Sequence, residues 1–152
     1  MNKPISKAVY EQLAEFRYQI RKFLHFSEQA ARSIGITPQA HQLMLAIMGF
    51  VGRDYATPSE LAERLQLTHH ACLGLISRCE GQGLLERSRN PEDGRSVLIR
   101  LTPKGQDILY ELSEIHLQEL SHLQWGESQA GRIRWGNTSE RERTSRKEMS
   151  LK

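Results

Sequence analysis

The chain has 152 residues, of which 38% are hydrophobic and 26% charged, with a formal net charge of +3. That length suits one domain with a tail and can hide roughly 68–70% of the unfolded surface, while the longest apolar run, Leu43 to Met48, falls far short of the ~20 residues a membrane span needs. Two cysteines and no export segment in "MNKPISKAVYEQL" point to a reducing cytoplasm, so neither a disulfide framework nor membrane association is expected.

Ile5, Val9, Leu13, Phe16, Ile20 and Phe23 follow one another at steps of 4, 4, 3, 4 and 3. This is the helical period, and it predicts a helix from Ile5 to about Ala31, stopped by Gly35. Tyr10, Arg17 and Leu24 flank the stripe. So long an apolar face on a small domain needs a partner surface.

Thr-Pro then recurs at 37–38, 57–58 and 102–103. Threonine can accept a hydrogen bond from an unpaired amide of the first helical turn, and proline at the first position loses no bond. Three helix starts follow. Thr57-Pro-Ser-Glu60 has the further spacing of a capping box. The predicted elements are a helix from Pro38 to about Gly49 and a loop with a short strand near Tyr55. Then come a helix from Pro58 to Leu65 and one capped by Thr68 that reaches about Gln82, with Gly81 and Gly83 at its end. Strands follow at about Leu84–Ser88 and Ser96–Thr102. In the second, Val97, Ile99 and Leu101 alternate with Ser96, Leu98 and Arg100, the half-buried pattern. Ile108, Leu109, Leu112, Ile115, Leu120 and Leu123 carry a last helix from Pro103 to about Gln124.

The texture changes after Trp125. Residues 126–152 hold seven Lys/Arg against four Asp/Glu, which accounts for the whole +3, so residues 1–125 are formally neutral. The tail has few apolar residues and no clean period, and it is expected to be disordered. A nucleic-acid argument for the body must therefore rest on where its arginines sit.

The central order is helix, tight turn, helix, hairpin. Leu61, Ala62 and Leu65 face inward on the first helix, and the small Ala62 lets the second cross closely. Leu67 plugs the turn. Cys72, Leu75, Ile76 and Cys79 form the buried stripe of the second helix, which leaves His69, His70, Leu73, Ser77 and Arg78 outward. This is the geometry of a helix-turn-helix whose second helix enters a major groove. Thr57, Ser59 and Thr68 at the helix starts join the candidate contacts. The hairpin would be a wing. Arg95 at its tip suits a narrow minor groove, and Arg87, Arg89 and Arg100 suit phosphates. Asp93 cannot favour DNA by charge and is expected to accept from an arginine and fix its direction.

The stretch "SELAERLQLTHHACLGLISRCEGQGLLERSRNPEDGRSVLIRLTPKG" resembles the core of the MarR family of bacterial transcription regulators. Asp93-Gly94-Arg95-Ser96 and Leu101-Thr102-Pro103-Lys104-Gly105 are similar to that family's signature, and the order of the preceding helices also matches. The resemblance implies a mostly α, winged helix-turn-helix protein with a small β-hairpin and long N- and C-terminal dimerisation helices. It implies a homodimer that binds pseudo-palindromic promoter DNA, expected to act as a repressor, with release by a small-molecule effector that the sequence does not identify. The domain reading is 1–125 for the regulator domain and 126–152 for the tail. Within the former, the DNA-binding lobe covers about 55–102 and the dimerisation helices about 5–32 and 103–124. Val9, Leu13, Phe16, Ile20, Ile108, Leu112 and Ile115 are the dimerisation candidates. Three features depart from the family pattern. Gln66 stands where glycine is common in the turn, Leu73-Gly74 where a polar or basic residue is common, and the tail does not read as a final apolar dimerisation helix. Leu73 could meet thymine methyls, and Gly74 could allow close backbone approach.

Cys72 and Cys79 read as small core residues, not exposed redox thiolates. Six histidines raise the question of a metal, with His25, Glu28, His41 and His116 on different helices. His116 and His122 are six apart, however, and no CxxC or HExxH occurs. Solvated or capping histidines are expected, with no metal and no cofactor. Phe16, Tyr18, Phe23, Phe26 and Tyr110 are assigned to a dimer core in preference to a ligand cleft. No nucleophile–base constellation, phosphate loop or suitably placed carboxylate pair stands in the sequence, so no catalysis is expected. The rival readings are a winged helix used for protein–protein assembly and a metal- or redox-responsive regulator of the same fold.

Overall fold

Threonine side chains start four of the five helices. The structure, a computed structural model, describes residues 4–122. Its elements are α1 (Lys7–Ser33), α2 (Pro38–Met48), β1 (Tyr55–Ala56), α3 (Pro58–Leu65), α4 (His69–Gly81), β2 (Leu85–Arg89), β3 (Val97–Leu101) and α5 (Pro103–His122). Thr37 Oγ1 accepts from the Ala40 amide, Thr68 Oγ1 from that of Ala71 and Thr102 Oγ1 from that of Gly105, each at 3.1 Å. At α3 the capping box is complete: Thr57 Oγ1 accepts from the Glu60 amide while Glu60 Oε2 accepts from that of Thr57. Each cap satisfies donors that a helix start leaves unpaired.

Three helices end in one way. The Ile36 amide bonds back to the Ala31 carbonyl, that of Leu67 to Ala62 and that of Leu84 to Cys79. Such a closure needs one left-handed residue, supplied by Gly35 (φ +78°), Gln66 (φ +53°) and Gly83 (φ +73°). The turn between α3 and α4 thus adopts the conformation glycine favours without having glycine.

β3 lies between β1 and β2, antiparallel to both, with Tyr55 opposite Arg100 and Arg87 opposite Ile99. The hairpin expected from sequence therefore belongs to a three-stranded sheet. The core gathers Leu43, Met44 and Ile47 of α2, Leu61 of α3, Cys72, Ile76 and Cys79 of α4, and Leu84 and Ile99 around the sheet. Leu67 packs against it, as a turn plug should. The alternation expected of β3 holds for Ile99 and Leu101, but Leu98, expected outward, is also buried.

α5 meets the lobe through a close contact. A Cβ on Gly105 would stand within 3.1 Å of the Leu84 carbonyl carbon and nearer still to its oxygen. Leu84 O also accepts the Thr102 amide at 3.0 Å. The Leu101–Gly105 segment thus caps a helix and seats it directly on backbone.

The N-terminal half of α1 packs little. Val9, Leu13 and Phe16 are exposed, and burial begins only towards Ala30 and Ala31. Ile20, Ile108 and Ile115 are half-buried, with Ile108 packed on the core. Leu112 corrects the sequence expectation. It is fully buried within the chain and cannot also face a partner. The reading of residues 126–152, and the end of the last helix beyond 122, lie outside the described residues.

Candidate nucleic-acid interface

α4 divides into two faces as its spacing predicts. Cys72, Leu75, Ile76 and Cys79 are buried, whereas His69, His70, Ser77 and Arg78 are exposed and Leu73 is half-buried. Thr68 is exposed at the helix start. In α3, Ser59 is exposed and Thr57 half-buried, its oxygen already engaged in the cap. Cys72 Sγ lies 3.6 Å from the Pro58 carbonyl, which ties α4 to the start of α3. Burial pushes both thiols above their ordinary range, with Arg78 partly opposing this at Cys79. A buried thiol that resists ionisation is a packing residue and a poor nucleophile. A Cβ on Gly74 would meet Arg78 Nη1 at 3.4 Å, so the arginine head lies back over the gap that Gly74 leaves in this face.

The wing tip is stitched by short hydrogen bonds. Asn90 Nδ2 donates to Ser96 Oγ at 3.0 Å, the Glu92 amide to Asn90 Oδ1 at 3.0 Å, and the Arg95 amide to Asp93 Oδ1 at 3.1 Å. Asn and Asp favour turns through this kind of bond to nearby main chain. The expectation for Asp93 is corrected in one respect: it grips the Arg95 amide and not a guanidinium. It shapes the turn, and the Arg95 side chain projects exposed from it.

The four hairpin arginines divide into two pairs. Arg89 and Arg95 are exposed, and neither guanidinium makes a hydrogen bond or ion pair among the described residues. Arg87 instead donates to Glu80 Oε2 at 3.0 Å and to Ser77 Oγ at 2.9 Å. Arg100 pairs with Asp54 and stacks over the Tyr55 ring at 4.6 Å. The acidic partners Glu80 and Asp54 were not among the sequence candidates. Each meets its arginine only through folding, across a turn or across the sheet.

Behind the interface, Arg53 donates to Glu60 at 2.7 Å and lies over Phe50 at 4.3 Å. The hydrogen bond from Arg53, with help from the Thr57 cap, holds the Glu60 carboxyl below its usual range. The capping box is thereby braced against the loop before β1.

Two histidines correct the expectation of solvated rings. His41 and His116 are 4% and 8% exposed and pack together, with Phe23 and Phe26 edge-on to His116. His116 Nδ1 donates to the Leu112 carbonyl at 2.6 Å, and its Nε2 meets Ser27 Oγ at 2.7 Å. The signal was present in the spacing. His41 falls among the inward residues Ala40, Leu43 and Met44, and His116 follows Leu109 and Leu112 at steps of 3 and 4. Phe23 and Phe26, each half-buried, thus spend one edge on His116 within the chain. No group of three or more His, Cys, Asp or Glu able to hold a metal gathers among the described residues. No helix among them is long and apolar enough to cross a membrane.

The MarR family model matches residues 34–96. The organic hydroperoxide resistance transcriptional regulator of Bacillus subtilis is 38% identical over 61 residues, 40% of this chain and 42% of that protein. Among solved structures, a MarR family protein from Bacillus stearothermophilus superposes with a TM-score of 0.68 at 23% identity, covering 97% of this chain and 99% of that one. A mutant MarR from E. coli, complexed with operator DNA, gives a TM-score of 0.60 at 22% identity, covering 79% and 84%. At these identities the structural likeness speaks for the fold. The chain spans about half the length of the curated relatives it matches. The match to the MarR family model is confined to residues 34–96, and the mostly helical fold with a small antiparallel sheet is the one these solved MarR-family structures share.

Proposed function

We propose that the chain is a sequence-specific regulator of transcription that binds duplex DNA as a homodimer in the cytoplasm, acts as a repressor and has no enzymatic role. The observation that carries the reading is the pairing of an exposed α4 face with a wing whose tip arginine is held out by its own turn. α4 suits a major groove and Arg95 the adjoining minor groove. Arg89 offers a charge to a phosphate. Thr68, His69, His70, Leu73, Ser77 and Arg78 are the α4 contacts, with Ser59 and Thr57 at the flanking backbone. The solved E. coli relative complexed with operator DNA supports the same use of this fold.

Dimerisation is assigned to α1 and α5. Val9, Leu13 and Phe16 leave large apolar surface exposed along α1, and Leu117 does so on α5. A soluble chain seldom leaves a long apolar helix face in water. The lobe at 55–102 and the flanking helices then form one functional unit, with the basic tail 126–152 beyond it. Release by a small effector completes the proposal, without an assigned site. The buried, proton-retaining Cys72 and Cys79 weigh against a redox trigger carried by cysteine.

Titration of a labelled duplex from upstream of its own gene tests the reading, with an unrelated duplex as reference. Specific binding at low salt that weakens steeply as salt rises is expected. A protein that is monomeric and ignores both duplexes would favour the protein–protein alternative.

A further inference from the structure

We infer that Arg87 is a positioning residue that clamps the wing to α4 and orients the Ser77 hydroxyl, and is not itself a phosphate ligand. The inference rests on the DNA-binding reading above. Arg87 sits mid-strand in β2, opposite Ile99 of β3. Its guanidinium reaches sideways to α4, where Nε meets Glu80 Oε2 at 3.0 Å and Nη2 meets Ser77 Oγ at 2.9 Å. Ser77 and Glu80 are three residues apart, hence neighbours on one helical face. One planar fork therefore spans two side chains of the helix proposed to enter the groove.

Charge decides between the two roles. The Glu80 carboxylate at contact distance cancels the field that a phosphate would feel from Arg87, and would itself repel that phosphate. Arg89 and Arg95, on the same hairpin, have no such partner among the described residues and are the better anion ligands. Geometry adds a second consequence. Ser77 Oγ accepts from Arg87, so its own proton is left to donate. Ser77 is then set to meet an acceptor, either a phosphate oxygen or a base-edge O or N7.

The mechanical consequence concerns Arg95. The tip lies beyond the last ladder pair, Arg89 with Val97, so a small swing of the hairpin moves it far. Leu84 and Leu85 anchor the base of the wing in the core, and Arg87 adds a lateral hold at mid-strand. With both in place, α4 and the tip approach DNA as one rigid shape, and less ordering is left to binding.

The test compares wild-type chain with Arg87→Gln, Glu80→Gln, Ser77→Ala and Arg89→Gln on one specific duplex across a salt series. Removing the Glu80 charge should tighten DNA binding if only electrostatics acts, whereas the clamp predicts the reverse. Glu80→Gln and Arg87→Gln should each weaken specific binding about tenfold, the double variant should lose no more than either single one, and Ser77→Ala should add nothing to Arg87→Gln. The salt slope should stay at the wild-type value in both clamp variants, while Arg89→Gln lowers it by about one. Arg87→Lys should not restore binding, since an ammonium cannot hold both partners in one plane. Tighter binding by Glu80→Gln, or a salt slope lowered by about one in Arg87→Gln, would overturn the inference. If wild type bound no duplex at all, the DNA reading would fail. Amide exchange in β2 and β3 of the free protein would then decide the clamp: faster in both variants if it exists, unchanged if it does not.

Discussion

His41 and His116 meet where α2 joins α5, their ring centroids 4.8 Å apart. Both nitrogens of His116 are occupied, by the Leu112 carbonyl and the Ser27 hydroxyl. Its Nδ1 must carry a proton to bond a carbonyl, so in the neutral ring Nε2 accepts from Ser27. His41 Nδ1 is buried with no hydrogen-bond partner among the described residues. Burial, then the neighbouring His116, lowers the His41 pKa from 6.5 to about 4.

This pair predicts acid-sensitive stability. Above pH 6.5 His41 is neutral whether folded or unfolded. Between pH 6.5 and about 4 the unfolded chain takes up the proton first, so stability falls as pH falls, and the loss levels off below about 4. The contribution is at most about 3 kcal/mol. Urea unfolding at pH 7.5 and pH 5 should show it, and His41→Leu should flatten the dependence. An unchanged pH slope in that variant would count against the buried pair.

Gly105→Ala should destabilise the protein by about 3 kcal/mol, because the new methyl group would press on the Leu84 carbonyl and force α5 off the lobe. Thermal unfolding measures this directly. A variant as stable as wild type would mean that α5 does not sit on that backbone.

Gln66→Gly should act in the opposite direction. Gln66 is held at φ +53°, where a side chain costs roughly 1–2 kcal/mol that glycine does not incur. Against this stand the greater freedom of glycine when unfolded and the lost bond from Gln66 Nε2 to the Glu63 carbonyl. A net gain of up to about 1 kcal/mol is expected in the denaturation midpoint. A clear loss of stability would show that the side-chain bond outweighs the strain.

Arg95→Ala should weaken specific DNA binding by ~1–3 kcal/mol and leave stability unchanged, since the wing turn is held by the Arg95 amide and not by its side chain. Affinity titration paired with thermal unfolding separates the two effects. Wild-type affinity in Arg95→Ala would remove the tip from the interface.

The fold was legible wherever one local rule governed. Thr37, Thr57, Thr68 and Thr102 each announced a helix start, and each caps one. The stripe Cys72, Leu75, Ile76 and Cys79 gave the inward face of α4, and Gly35 and Gly83 gave two of the stops. The third stop, at Gln66, was visible only as a departure from glycine. What sequence could not supply was pairing over distance. Arg87 and Arg100 look alike in an alternating strand, and only the fold brings Glu80 to one and Asp54 to the other. The same holds for His41 and His116, whose spacing places both inside but does not say that they touch. Leu112 erred the other way. An apolar stripe on a terminal helix shows that a face is covered, not whether its own chain or a partner covers it.

Footprinting of the full chain on duplex DNA, paired with its solution mass, decides whether α4 and the wing read DNA as a symmetric pair. The expected result is a dimer that protects two half-sites about 34–36 Å apart, one helical turn, with Arg95→Ala losing that protection. A monomer, or a dimer that protects nothing at low salt while α4 and the wing remain folded, would contradict it.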